Sequence, residues 1–196
     1  MTWQTLARRL VLGVAATAAL GLSSCATSTP YQPIGTGQVA GGYSEIRLAP
    51  DRYRVTFSGN TLTSRDTVEG YLLYRAAELT LQQGYDWFVI DDRRLEHDVR
   101  THVTPDTLYH PWYGSAYLYW TPSWRYRRPH LGWSIWNPYW GDPFWASHVD
   151  VRTVERFEAS AEISLRHGVK PADDPKTFDA RQVVEALGPK IQRPES

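Results

Sequence analysis

The 196-residue chain has one cysteine, one methionine and no formal net charge, and each scarcity removes a class of explanation. A lone cysteine, Cys25, excludes an internal disulfide and any cysteine-rich zinc site. Equal numbers of basic and acidic groups, 21 of each, argue against a polyanion ligand, because phosphate binding normally leaves a basic excess. Nucleic acid is therefore not an expected partner. Catalytic signatures are absent too: the chain contains no GxSxG, P-loop, GxGxxG or HExxH spacing. His97 and His102 have opposite parity on an extended strand and would point to opposite faces, a poor geometry for metal ligation. The adjacent Asp91 and Asp92 would likewise point apart, so they cannot share a proton and read as a solvated, ion-paired strand segment. No metal, cofactor or catalytic residue is expected.

What is present begins with an address. Arg8 and Arg9 precede Leu10–Leu22, 13 uncharged residues rich in Ala, Leu and Val. As a helix this run spans about 20 Å, short of the roughly 30 Å hydrocarbon core, so it reads as a signal peptide over residues 1–24 and not as a span. It ends in Leu22-Ser23-Ser24-Cys25, which resembles a bacterial lipobox. That resemblance implies cleavage between Ser24 and Cys25 and a diacylglyceryl group on the Cys25 thiol, with acylation of the new amine. More than one acyl chain makes a stable anchor, whereas a single chain binds only marginally. Ala26 stands where an inner-membrane retention Asp stands in enterobacterial-type sorting, which favours the outer membrane over the inner. Removal of Arg8 and Arg9 leaves 19 basic against 21 acidic groups, a net charge of −2.

Residues 25–42 read as the lipidated N-terminus and a flexible tether, rich in Thr, Ser, Gly and Pro without aliphatic periodicity. Strands are predicted over Tyr43–Leu48 and Arg52–Gly59, the second alternating Tyr53, Val55 and Phe57 with polar residues. A helix is predicted over about 66–83, opened by Asp66 with Glu69 at the capping-box position and stopped by Gly84. Gly70 inside it costs about 1 kcal/mol relative to Ala, for which close packing against the sheet is the plain explanation. Asp86–Ile90 reads as a buried strand continuing toward Val103. Val149–Leu165 forms a second long strand that could pair with it as a hairpin. Asp179, with Gln182 at the capping-box position, starts a short helix ended by Gly188-Pro189. The resulting order, β-β-α-β-β-α, predicts an α+β two-layer domain over 43–190, with helices on one face of a mostly antiparallel sheet and a C-terminal tail at 191–196.

Inside this frame an insertion over about 105–146 breaks the pattern. Tyr109–Trp145 holds 7 Trp, 6 Tyr and 1 Phe in 37 residues, with five prolines that forbid a long regular helix or central strand. Ordered loops of this length are usually functional. Three uses compete: self-packing into a mini-core or over the sheet, a binding surface for protein or glycan, and contact with the bilayer interface. The candidate contact residues are Trp112, Trp120, Trp124, Trp133, Trp136, Trp140 and Trp145.

Several segments carry a family resemblance. Gly42-Tyr43-Ser44-Glu45, Arg52-Tyr53-Arg54-Val55-Thr56-Phe57-Ser58-Gly59-Asn60, the stretch from Tyr71 to Thr80 (YLLYRAAELT), and Gly84-Tyr85-Asp86-Trp87-Phe88 resemble a family of small uncharacterised lipoproteins of Gram-negative bacteria. The resemblance covers roughly residues 22–95, excludes the aromatic block and transfers no catalytic residue. It implies the address and the fold only. The expected protein is thus lipid-anchored, periplasm-facing and non-enzymatic, with an interaction or structural role in the envelope. Its expected partners are the membrane, through the anchor, and an envelope protein or peptidoglycan. The alternative of another class is an envelope enzyme or binder acting on cell-wall glycan, with scattered acids such as Asp142 or Glu155.

Overall fold

Period-two alternation sets the sheet, because each strand places its apolar side chains on one shared face. The computed structural model describes residues 27–91, 112–128, 130–136 and 156–194. In it β1 (Gly42–Ala49) and β2 (Arg52–Gly59) form a hairpin, followed by helix α1 (Arg65–Gln82) and strand β3 (Trp87–Ile90). Next come β4 (Ser123–Arg128), β5 (Gly132–Trp136), β6 (Arg156–Arg166), β7 (Thr177–Asp179) and helix α2 (Ala180–Leu187). The predicted class holds: the described residues form a sheet of seven strands, all of these pairing antiparallel, with helices packed against it. The predicted element order lacked β4, β5 and β7.

Strand β6 is the hub. It pairs along its length with β2, while its other side is shared end to end by β4 and β3. Phe157, Ala159, Ala161, Ile163 and Leu165 of β6 are buried together with Tyr53, Val55 and Phe57 of β2. Against this face lies α1, with Val68, Leu72, Leu73, Ala76 and Leu79 buried, and α2 packs on α1 through Val183 and Leu187. The opposite face is polar: Arg54 and Arg52 of β2 reach Glu162 of β6, and Arg52 also meets Asp91 at 3.5 Å.

Helix α1 is capped two residues earlier than predicted. Ser64 is the N-cap, its Oγ accepting from the Thr67 amide at 3.2 Å, and Asp66 lies within the first turn. Glu69 is therefore no capping-box partner; it points inward. At the other end Gly84 sits at φ +83°, and the Tyr85 and Gly84 amides return to the Thr80 and Leu81 carbonyls as predicted for a glycine stop. Asp179 caps α2, its Oδ1 accepting from the Gln182 amide at 3.0 Å.

The expected tether is corrected from Thr27 onward. Thr29, Tyr31 and Gln32 are buried, and the Tyr31 amide donates to the Gln192 carbonyl at 2.7 Å. Tyr31 Oη donates to Glu78 at 2.6 Å, and Arg75 binds both Glu78 and Glu45 while stacking over Tyr43. One large ring and its polar partners outweigh the missing aliphatic periodicity. The tail is corrected for the same reason: Ile191 is buried and Arg193 donates to Tyr74 Oη. The signal peptide with Ser24 and Cys25, the extension of β3 toward Val103 and the stretch 149–155 lie outside the described residues.

Candidate functional site

The first half of the aromatic block is seated on α1 by one carboxylate. Gly114, at φ +99°, turns the chain into a 3₁₀ turn at Ser115–Tyr117 that lays flanking rings over the start of α1. Glu69 has no solvent exposure, and both of its oxygens are used. Tyr113 Oη donates to Oε2 at 2.6 Å; Trp124 Nε1 and Arg65 Nε donate to Oε1 at 3.1 and 2.9 Å. Trp120 Nε1 donates to the Glu69 main-chain carbonyl at 3.1 Å. A buried carboxylate needs such pairing, and buried indoles and phenols need such acceptors, so each satisfies the other.

Packing around this seat is equally specific. Trp112 lies across Gly70, where an added Cβ would come 2.4 Å from Cζ2 of the ring. The helical glycine thus serves the tryptophan rather than the sheet. Trp120 meets Phe88 and Phe178 edge-on, with centroids 6.2 and 5.6 Å away.

The candidate contact tryptophans consequently separate. Trp120 and Trp124 are 1% and 2% exposed and belong to the core, which corrects their assignment as contacts. Trp112 is half-buried, with Lys190 Nζ 5.6 Å above its ring. Trp136 closes β5 opposite Trp124 in register. Trp140 and Trp145, like Asp142 and Glu155, lie outside the described residues. Trp133 remains at the surface, 39% exposed.

Trp133 belongs to a different arrangement, the β4–β5 hairpin. On β4, Trp124 faces the core and Arg125 the polar side, the alternation that a half-buried strand requires. Arg125 stacks over the Trp133 ring at 4.3 Å and donates to Glu158 of β6 at 2.6 Å, while Ser58 donates to the other Glu158 oxygen. The ring is thus held by a cation that is itself held. Ile135 lies nearly fully exposed beside it, and Leu131 projects from the tip, where His130 and Gly132 take left-handed conformations. Beyond β5 no further strand pairs among the described residues.

No family model, curated protein or solved structure matches this chain.

Among the described residues, the other polar clusters carry no reaction geometry. A hollow beside Asp86 is lined by Lys170, Asp179 and Arg181, and Asp86 accepts from the Gly168 amide at 2.8 Å while pairing with Arg181. Asp86 is satisfied by these partners and Asp179 is occupied as the α2 cap, with no nucleophile beside a base in the hollow. Among the described residues no group of three or more His, Cys, Asp or Glu side chains could hold a metal ion, and no helix is long and apolar enough to cross a membrane.

Sequence reasoning missed Glu69. Its signal was its position: it shares an apolar helical stripe with Leu72, Leu73 and Ala76, and Arg65 precedes it by four residues. A lone carboxylate on such a stripe needs a set of donors, and the indole-rich block supplies them.

Proposed function

We propose that this chain is a lipid-anchored protein of the bacterial cell envelope, facing the periplasm and acting by contact rather than by catalysis. Cys25 is the acylated residue, and the outer membrane is the destination that Ala26 favours. The contact surface is the outer side of the β4–β5 hairpin: Trp133 with Arg125 on its ring, flanked by Ile135 and Leu131.

The observation that carries this reading is the division of the aromatic block. Its buried members are consumed in seating the segment on α1, whereas the hairpin keeps a tryptophan and two aliphatic side chains in water. Exposed tryptophan with a stacked guanidinium is the chemistry of a contact hot spot. The hydrogen-bond seat at Glu69 supports the same reading, since it gives the hairpin a rigid base.

Two measurements test it together. Radiolabelled palmitate incorporation is expected in the wild type and absent in Cys25→Ser. The purified lipoprotein incubated with cell-wall sacculi is expected to release no soluble fragments. Fragment release would overturn the non-catalytic reading and favour the glycan enzyme.

A further inference from the structure

We infer that the sheet end bearing the β4–β5 tip lies against the bilayer, with anionic lipid headgroups as its ligand. The inference rests on the acylation of Cys25 proposed above. What carries it is the short distance along the chain from that residue to the fold.

The Thr27 carbonyl accepts from Asn60 Nδ2 at 2.7 Å, and the Asn60 amide donates to Thr29 Oγ1 at 2.9 Å. The Thr29 amide in turn donates to Thr63 Oγ1 at 2.9 Å, and Thr29 is buried. The loop after β2 thus clasps Thr27–Thr29. Only Ala26 separates Thr27 from Cys25, so their Cα atoms lie within about 7 Å of each other even at full extension. Acyl chains on Cys25 reside in hydrocarbon, which brings Asn60 to the headgroup layer.

Register then names what else sits at that end. Gly59 of β2 pairs with Phe157 of β6, and Phe157 with Tyr126 of β4, so Asn60 lies near the row of Arg156 and Arg127. Strands are spaced about 4.8 Å apart, so Arg156 lies one spacing and Arg127 two spacings, roughly 10 Å, from the clasp. Arg128 and the tip follow, further out in the same direction. Two exposed leucines mark the two sides of this end, Leu62 in the clasp loop and Leu131 at the tip. Arg65 at this end is bound to Glu69, and Asp66 is the carboxylate on the first turn of α1. Arginines bind phosphate oxygens in a fork, and leucines on either side enter the acyl boundary.

The test uses the full lipoprotein, purified and reconstituted into vesicles. Because lipid occupies Cys25, Leu131→Cys or Val169→Cys supplies the only free thiol for a polarity-sensitive fluorophore. Val169 is exposed and follows the far end of β6. In vesicles of phosphatidylethanolamine with phosphatidylglycerol, the label at 131 is expected to shift to the blue and to be quenched by spin-labelled lipid. The label at 169 is expected to stay aqueous. Purely zwitterionic vesicles, or Arg127→Glu with Arg128→Glu, should return the label at 131 toward its emission in water. A protein that floats with vesicles while the 131 label stays aqueous overturns the orientation and leaves the anchor standing. A blue shift without quenching by lipid overturns it in favour of a second copy of the chain. Failure to float removes the anchor and this inference with it.

Discussion

Glu69 carries more of this molecule than its single charge suggests. Replacement by Ala leaves the Tyr113 hydroxyl, the Trp124 indole and the Arg65 guanidinium without their acceptor in a dry site. Breaking a buried pair in this way costs about 3–5 kcal/mol, so Glu69→Ala should lower the midpoint of chemical denaturation sharply and shift tryptophan emission to the red. Gly70 gives an opposite sign to helix propensity. Gly70→Ala gains about 1 kcal/mol of propensity, but its Cβ collides with Trp112, and overpacking typically costs 1–3 kcal/mol. Net destabilisation is expected, with relief in Gly70→Ala/Trp112→Ala; additive effects in that double-mutant cycle would refute the contact. The tryptophans should divide in the same assay. Trp120→Ala should cost about 3–5 kcal/mol, whereas Trp133→Ala should stay within about 0.5 kcal/mol.

Among elements, the cap of α1 distinguishes the observed start from the one predicted by pattern. Ser64→Ala should cost about 1 kcal/mol in thermal unfolding, and Asp66→Ala appreciably less, because only Ser64 accepts a backbone amide there. The strands and helices that could be read from sequence are those whose own side chains alternate, recur or run apolar: β1, β2, α1, β3, β6 and α2. Strand β4 has the same alternation, with Trp124 and Tyr126 against Arg125 and Arg127, yet the prolines of the block argued against a central strand there. Pro122 in fact precedes β4 and costs it no ladder hydrogen bond. Strand β7 is three residues long and exists through its pairing with β3, a contact no local pattern announces. Tyr31 was hidden for a related reason, since one ring in a polar segment has no period. Of the candidate site, sequence located the aromatic block, but only burial separated Trp133 from Trp120 and Trp124.

For the molecule as a whole, rings buried under the helices bind stability to pH. Burial raises the Tyr31 hydroxyl, helped by Glu78, and burial likewise raises Tyr71, Tyr117 and Tyr43. Below the ordinary tyrosine value of about 10, both folded and unfolded chains hold these protons and the stability is fully present. Above it the unfolded chain releases protons that the folded one retains, so stability falls as pH rises toward the raised folded values. Denaturant midpoints should therefore drop beyond about pH 10, with tyrosinate absorbance rising in the same step as helix is lost. Titration of every tyrosine with the fold intact would contradict this.

The hub position of β6 has a consequence for timing. Its partners lie far upstream, Arg54 bonding Glu162 across 108 residues, so the middle strand of the sheet is among the last to be made. Until Arg156–Arg166 has been synthesised, β2, β3 and β4 have no common neighbour, and the apolar face of α1 has only part of its floor. Contacts this distant close slowly. A nascent chain in this condition cannot close its sheet early: five strands wait, unjoined at their centre, for the sixth to emerge.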